Sequence, residues 1–273
     1  MSKIESLART LLALTIFASL PISLGLSQEK TTSWEGFQKI EFEVAGRNAF
    51  VIVPNKAAPG NPWIWRTEFF GHEPQADLAL IERGWHAAYL NIQNLYGAPE
   101  ALDAMDAFFD HMTQTRHLAS RVVLEGFSRG GLYSLNYAVR RPERIACIYN
   151  DAPVCDFKSW PGGKGKGKGS PGDWKRCLDA YRLSEQEALS FDGNPVDQAA
   201  KLASHRIPIL HVCGDADDVV PYEENTKLFA ERYQAAGGPM HVIVKPGIAH
   251  HPHSLKDPSP IVDFIRKHGP KGP

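Results

Sequence analysis

The stretch Arg121-Val-Val-Leu-Glu-Gly-Phe-Ser-Arg-Gly-Gly131 decides how the rest of the chain is read. Val122, Val123 and Leu124 form an apolar run of the kind that makes a buried strand. The run ends in Gly126-Phe-Ser-Arg-Gly130, a G-x-S-x-G pattern. Beyond it, Leu132, Leu135, Tyr137, Ala138 and Val139 recur at near-helical spacing. Strand, sharp turn and helix are the context in which this pattern raises a serine hydroxyl above a sheet edge. The turn strains the serine backbone, so its neighbours must be small; Gly126 and Gly130 meet that need. A Ser/Gly turn without chemistry uses the same letters. The rest of the chain has to decide between the two.

Of the 273 residues, 43% are hydrophobic and 22% charged, an ordinary globular balance with material for a sizeable core. The formal net charge of −1 gives no overall drive toward nucleic acid or an anionic membrane. The N-terminus has a different character. Lys3 and Arg9 precede an apolar run from Leu11 to Leu20, and Gly25 and Ser27 suit the −3 and −1 positions of a cleavage site. This predicts a signal peptide over residues 1–27, too short to span a membrane, with a secreted or periplasmic product and no membrane association after cleavage. Cys147 and Cys213 lie in strand-like runs and read as buried thiols. Cys155 and Cys177 flank a loop-rich segment that a disulfide would close in an oxidising compartment.

Strands are expected at 39–44, 48–53, 63–66, 86–90, 121–125, 144–150, 207–213 and 240–245. Helices are expected at 75–83, 98–115, 129–140, 222–236 and 260–268. The alternation predicts an α/β fold: a doubly wound, mostly parallel sheet with an antiparallel hairpin at its N-terminal edge. Between residues 151 and 202 the pattern is lost, with a Gly/Lys-rich run and short helical stretches near 174–182 and 184–190. This segment reads as a small cap over the carboxyl ends of the strands, where ligands of such sheets bind.

A serine hydroxyl needs a base oriented by an acid. In one large group of hydrolases they follow in the order serine, acid, histidine. The acid candidates are Asp215, Asp217 and Asp218; Asp217 is preferred because it precedes Val219-Val-Pro221 at the spacing G-x-x-D-x-V-V-P. The base candidates are His250, His251 and His253, with His250 preferred as the first after Pro-Gly-x-x. His-His-x-His lacks the i, i+4 spacing of a helical zinc motif, and Pro252 breaks any helix, so neither metal nor cofactor is expected.

With these three signals in order, the chain from about residue 38 to 268 resembles an α/β-hydrolase. The resemblance implies that Ser128 attacks a carbonyl, His250 moves the proton, Asp217 orients His250, and water hydrolyses an acyl-enzyme. It also implies two oxyanion donors: the backbone N–H of Arg129 and one from the loop after the third strand. Arg66-Thr-Glu-Phe69 stands there in place of a His-Gly pair. Thr67 or Glu68 would supply the N–H, with Glu68 preferred and its carboxylate turned away or paired with Arg66. Gly126-Phe-Ser-Arg-Gly130 is similar to the G-C-S-R-x-G motif of glucuronoyl esterases, in which the arginine assists at the oxyanion; here Phe127 replaces the cysteine.

The 66–73 loop, the 91–97 loop and the cap should line the mouth of the site. Arg66, Tyr96 and Trp160 are the candidate substrate-binding residues, and aromatic faces among polar groups suit sugar rings. Lys164, Lys166 and Lys168 alternate with glycines and would attract a polyanion, or serve only as a solvated linker. The preferred reading is a monomeric serine esterase on a small ester or polysaccharide, removing acetyl or uronate-methyl groups. A prolyl-oligopeptidase-like peptidase or small-ester hydrolase is the first alternative, and a non-catalytic binding protein on the same scaffold the second.

Overall fold

The computed structural model describes residues 29–271. The expected signal segment lies outside them. Three antiparallel strands begin the fold: β1 (Lys30–Trp34), β2 (Phe37–Val44) and β3 (Arg47–Val53). β1 has no counterpart in the sequence reading; Lys-Thr-Thr-Ser-Trp has little apolar pattern and becomes a strand by pairing with β2. The remaining strands are β4 (Trp63–Arg66), β5 (His86–Leu90), β6 (Val122–Phe127), β7 (Ile145–Asp151), β8 (Ile209–Gly214) and β9 (Met240–Lys245). Their order is β1-β2-β3-β5-β4-β6-β7-β8-β9, antiparallel as far as β3–β5 and parallel beyond it.

Every residue of β5, β6, β7 and β8 is buried, because helices cover both faces of the parallel part. On one face lie α2 (Pro99–Asp110), α3 (Gly130–Arg140), α6 (Pro195–Ala203) and α7 (Leu228–Ala235). On the other lie α1 (Gln75–Ile81) and α8 (Ser259–His268). Each large apolar side chain so buried contributes about 1.5–3 kcal/mol. The helix expected at 98–115 is α2 followed by a wider π turn over His111–Thr115. A π turn over Glu223–Lys227 likewise precedes α7.

The cap contains α4 (Pro171–Tyr181) and α5 (Glu185–Ser190). Its core of Phe157, Trp174, Cys177 and Ala188 packs on Tyr96 and Leu132. α6 does not belong to it: Val196, Ala199, Leu202 and Ala203 join the main core, so the inserted segment is shorter than 151–202. The Cys155–Cys177 disulfide, which the sequence left open, is not formed. Both are free and buried, Cys155 in the main core and Cys177 in the cap core, and burial pushes both thiols up. The lysine run is no free linker either. Lys164 pairs with Glu185 at 2.6 Å, and Lys168 with Asp218.

Candidate active site

The sheet brings Ser128, Asp217 and His250 together at the carboxyl ends of β6, β8 and β9. Ser128 has φ of 51°, the left-handed backbone that a tight strand-to-helix turn imposes. Space around the turn is short at both glycines: a Cβ on Gly126 would stand 2.5 Å from Asn150 Oδ1, and one on Gly130 3.0 Å from Thr67 Oγ1. Gly214 has the same function at the acid loop, where a Cβ would meet the Ile248 carbonyl at 2.0 Å. The acid loop and the histidine loop therefore lie directly against each other.

His250 Nδ1 is 2.7 Å from Asp217 Oδ2, and its Nε2 is 3.0 Å from Ser128 Oγ. Asp217 Oδ1 accepts the backbone N–H of Val219 and Val220, so the carboxylate is held from both sides. All three side chains are buried. Asp215 instead accepts from Gly247 N–H, and Asp218 pairs with Lys168. The arrangement suits transfer of the serine proton to an oriented imidazole.

Ser128, His250, His251, His253, Phe69, Phe70 and His72 line a cavity of about 410 Å³. The backbone N–H groups of Arg129 and Glu68 have no protein acceptor among the described residues. Glu68 N would stand 3.6 Å from a Cβ on Gly130, which places this loop against the start of α3. The Glu68 side chain turns to Arg129 rather than to Arg66: Arg129 Nε donates to its Oε1 at 3.1 Å. Burial pushes the Glu68 carboxyl up, and the Arg129 charge opposes that shift. Arg129 Nη1 also donates to Asn94 at 3.2 Å and lies 3.7 Å from Asp173. The arginine charge is thus committed to joining elbow, loops and cap, and the side chain does not line the cavity.

Two of the three substrate-binding expectations, Arg66 and Tyr96, are corrected; Trp160 is half-buried at the cap. Arg66 is fully buried; it donates to Asp77 at 2.7 Å, to Glu125 at 3.3 Å and to the His72 carbonyl, and stacks on Phe127 at 3.6 Å. Burial, with Asp77 beside it, holds the Glu125 carboxyl well above the usual range. Tyr96 is fully buried and donates to Asp173 at 2.6 Å. Trp160 packs beside Tyr96, 6.5 Å between ring centroids. Tyr96 belongs to the cap core and Trp160 packs on its edge, while Trp63 and Trp65 are both in the main core.

One residue, Asp151, escaped the sequence reading. Asp151 accepts from His253 Nδ1 at 2.9 Å, from Ser254 N–H at 2.8 Å and from Tyr149 OH at 2.9 Å. It closes the buried run of β7, and a polar residue at the carboxyl end of a parallel strand was the available signal. His72 comes from the loop after β4, and its ring lies 5.7 Å from those of His251 and His253. Burial, then the neighbouring imidazoles, holds His251 below the usual histidine value. Burial does the same for His253, against the pull of Asp151.

Residues 82–268 match the sequence profile of the prolyl oligopeptidase family, which is more than half of the chain. The chain belongs to the prolyl oligopeptidase family. It is a serine hydrolase with the α/β-hydrolase fold. No curated protein matches it in sequence. Among solved structures, it resembles a puromycin-hydrolyzing peptidase of Mycobacterium tuberculosis, at 15% identity and TM-score 0.62, over 93% of this chain and 41% of that one. An acylaminoacyl peptidase of Pyrococcus horikoshii superposes with TM-score 0.64 at 10% identity, over 92% of this chain and 43% of that one. Est1E of Butyrivibrio proteoclasticus matches at 18% identity and TM-score 0.58, over 89% of this chain and 99% of that one. The chain thus spans about two fifths of the length of the first two, and identities this low establish the fold alone. Neither the family profile nor these structures extends the likeness to glucuronoyl esterases.

Proposed function

We propose that the protein is a serine esterase of carbohydrate esters, taking acetyl from a sugar hydroxyl in preference to releasing methanol from a methyl uronate. Ser128 Oγ attacks the ester carbonyl carbon and its proton passes to His250 Nε2. The developing oxyanion is received by the N–H groups of Arg129 and Glu68. Collapse expels the alcohol, which takes the proton from His250. Water, deprotonated by the same imidazole, then releases the acid and restores Ser128. Asp217 holds the imidazole in the tautomer that leaves Nε2 free to accept.

One observation carries this reading: the hydrogen-bonded line Asp217–His250–Ser128 opens on a small cavity whose other lining residues are phenylalanines and imidazoles. The lining includes neither the carboxylate that would hold a peptide ammonium nor a free cation for a polyuronate. Arg129, Lys164 and Lys168 pair with Glu68, Glu185 and Asp218, and none of the three lines the cavity. Acetyl is therefore preferred to uronate methyl. Family membership and the two peptidase structures favour the peptidase reading.

The deciding experiment compares kcat/KM on p-nitrophenyl acetate and on a Gly-Pro p-nitroanilide, followed by acetate release from acetylated xylan and methanol release from methyl-esterified pectin. The esterase reading expects the first substrate of each pair to dominate. A faster p-nitroanilide would replace it with the peptidase reading. Inertness to a fluorophosphonate would leave only the binding protein. Export is part of the proposal: the secreted product should begin at Gln28 on N-terminal sequencing and elute as a monomer.

A further inference from the structure

We propose that His72, His251 and His253 form a three-imidazole site for a late first-row divalent cation, zinc foremost, with its fourth position open to the cavity that holds Ser128. One nitrogen from each ring lies within 4.8 Å of the others. The ring centroids of His251 and His253 are 4.7 Å apart, and His72 stands 5.7 Å from both. Imidazole suits zinc, copper and nickel. Three protein ligands with one open position is the arrangement of zinc sites that admit an exogenous oxygen.

The surroundings of His253 carry the argument. Its Nδ1–H donates to Asp151 at 2.9 Å, which leaves Nε2 as the lone-pair nitrogen, without a protein partner among the described residues. Asp151 cannot swing away, since Ser254 N–H and Tyr149 OH hold its other oxygen. A carboxylate that fixes tautomer and ring orientation is the support that metal-bound histidines ordinarily have. His250 is not a competitor, because both its nitrogens are engaged. Phe69 and Phe70 line the same cavity, and Phe127 lies 5.3 Å from His253, so the position has an apolar shell.

Zinc–nitrogen bonds of about 2.0–2.1 Å put tetrahedral ligand nitrogens about 3.3–3.4 Å apart. The rings must therefore draw in. His72 and His251 are exposed and free to do so, whereas His253 is buried and fixed. The loop that carries His72 is anchored by Arg66, which donates to the His72 carbonyl. A cation there places positive charge at the cavity mouth, where an oxygen of a bound substrate completes its coordination.

The site is tested on the tag-free protein with the metal alone, so its outcome does not depend on the esterase reading. Calorimetry with Zn2+ should show one equivalent bound. Co2+ in its place should give the strong visible bands of a four-coordinate ion. His72→Ala and His251→Ala, both at exposed positions, should each lower the affinity by more than tenfold, and Ser128→Ala should bind as the wild type does. Asp151→Asn, where it folds, should weaken binding by about 10–100-fold. Absence of saturable binding by the wild type, or unchanged affinity in either the His72 or the His251 variant, overturns the proposal.

Discussion

Two histidine–carboxylate pairs lie side by side above the sheet. His250 meets Asp217 at 2.7 Å and His253 meets Asp151 at 2.9 Å, with 4.8 Å between the ring centroids. In both, Nδ1 faces the carboxylate and fixes the tautomer. They differ at the far nitrogen: His250 Nε2 reaches Ser128 at 3.0 Å, whereas His253 Nε2 finds no protein group. They differ also in how the acid is mounted. Asp217 sits on a loop, held by the N–H groups of Val219 and Val220. Asp151 ends a buried strand and ties down Tyr149 and Ser254. One constellation of atoms thus serves as proton relay or as fixed ligand according to what stands opposite Nε2.

Mutation can break that comparison. Ser128→Ala should remove the largest share of activity, about 10⁶-fold in kcat by analogy with other serine hydrolases, with an unchanged thermal unfolding profile. Asp217→Asn should follow at about 10⁴-fold, the cost of the wrong tautomer. Asp151→Asn should leave kcat within about tenfold, since it acts on the other imidazole, and appear instead in urea denaturation as a loss of about 1–3 kcal/mol. Equal kinetic losses in the two aspartate variants would show that the pairs act as one relay.

The contrast also marks how far the sequence could be read. An apolar run meeting Gly-x-Ser-x-Gly is local information, and so is an aspartate spaced before Val-Val-Pro; both arose where the backbone alone sets the geometry. The doubly wound α/β sheet was legible for the same reason, since periodicity reports which residues face a core; that it is an α/β-hydrolase came from the resemblance of the three motifs. Asp151 and His253 are 102 residues apart, and their contact is created by the order of β7 and β9 around β8. His72 joins them from still farther. Arg66, Tyr96 and Trp160 sit on or near loops that the sequence placed at the mouth, yet whether a loop side chain turns inward depends on partners such as Asp77 and Asp173 that no local pattern names.

Arg66 sharpens the point. As a substrate-binding group its loss would raise KM; as the buried partner of Asp77 its loss should unfold the protein more easily. Arg66→Met leaves Asp77 without its cation and releases the loop that carries His72. The expected outcome is a destabilisation of about 3–5 kcal/mol in urea, with KM on p-nitrophenyl acetate little changed at temperatures where the variant is folded. A raised KM at full stability would restore the arginine to the substrate site.

A third buried histidine supplies the control for the other two. His211 on β8 has no carboxylate: its Nε2 lies 3.3 Å from Asn150 Nδ2 and its Nδ1 3.2 Å from Thr226 Oγ1. With burial unopposed, its pKa falls to about 3. The unfolded chain, with a histidine pKa of about 6.5, therefore binds one more proton than the folded chain at any pH between the two values. The stability that a neutral His211 supplies is complete above about pH 6.5 and declines by about 1.4 kcal/mol per unit as pH falls below it, until the folded imidazole itself protonates. Between pH 7 and pH 5 this group should thus cost the protein about 2 kcal/mol. His211→Phe keeps a neutral ring stacked on Phe229 and removes the titration. Its urea stability should be lower at pH 7, where Asn150 and Thr226 lose a partner, but should fall less steeply toward pH 5 than that of the wild type. Parallel slopes in the two proteins would mean that His211 does not contribute to the acid sensitivity, and that a buried imidazole needs no carboxylate here to hold its charge.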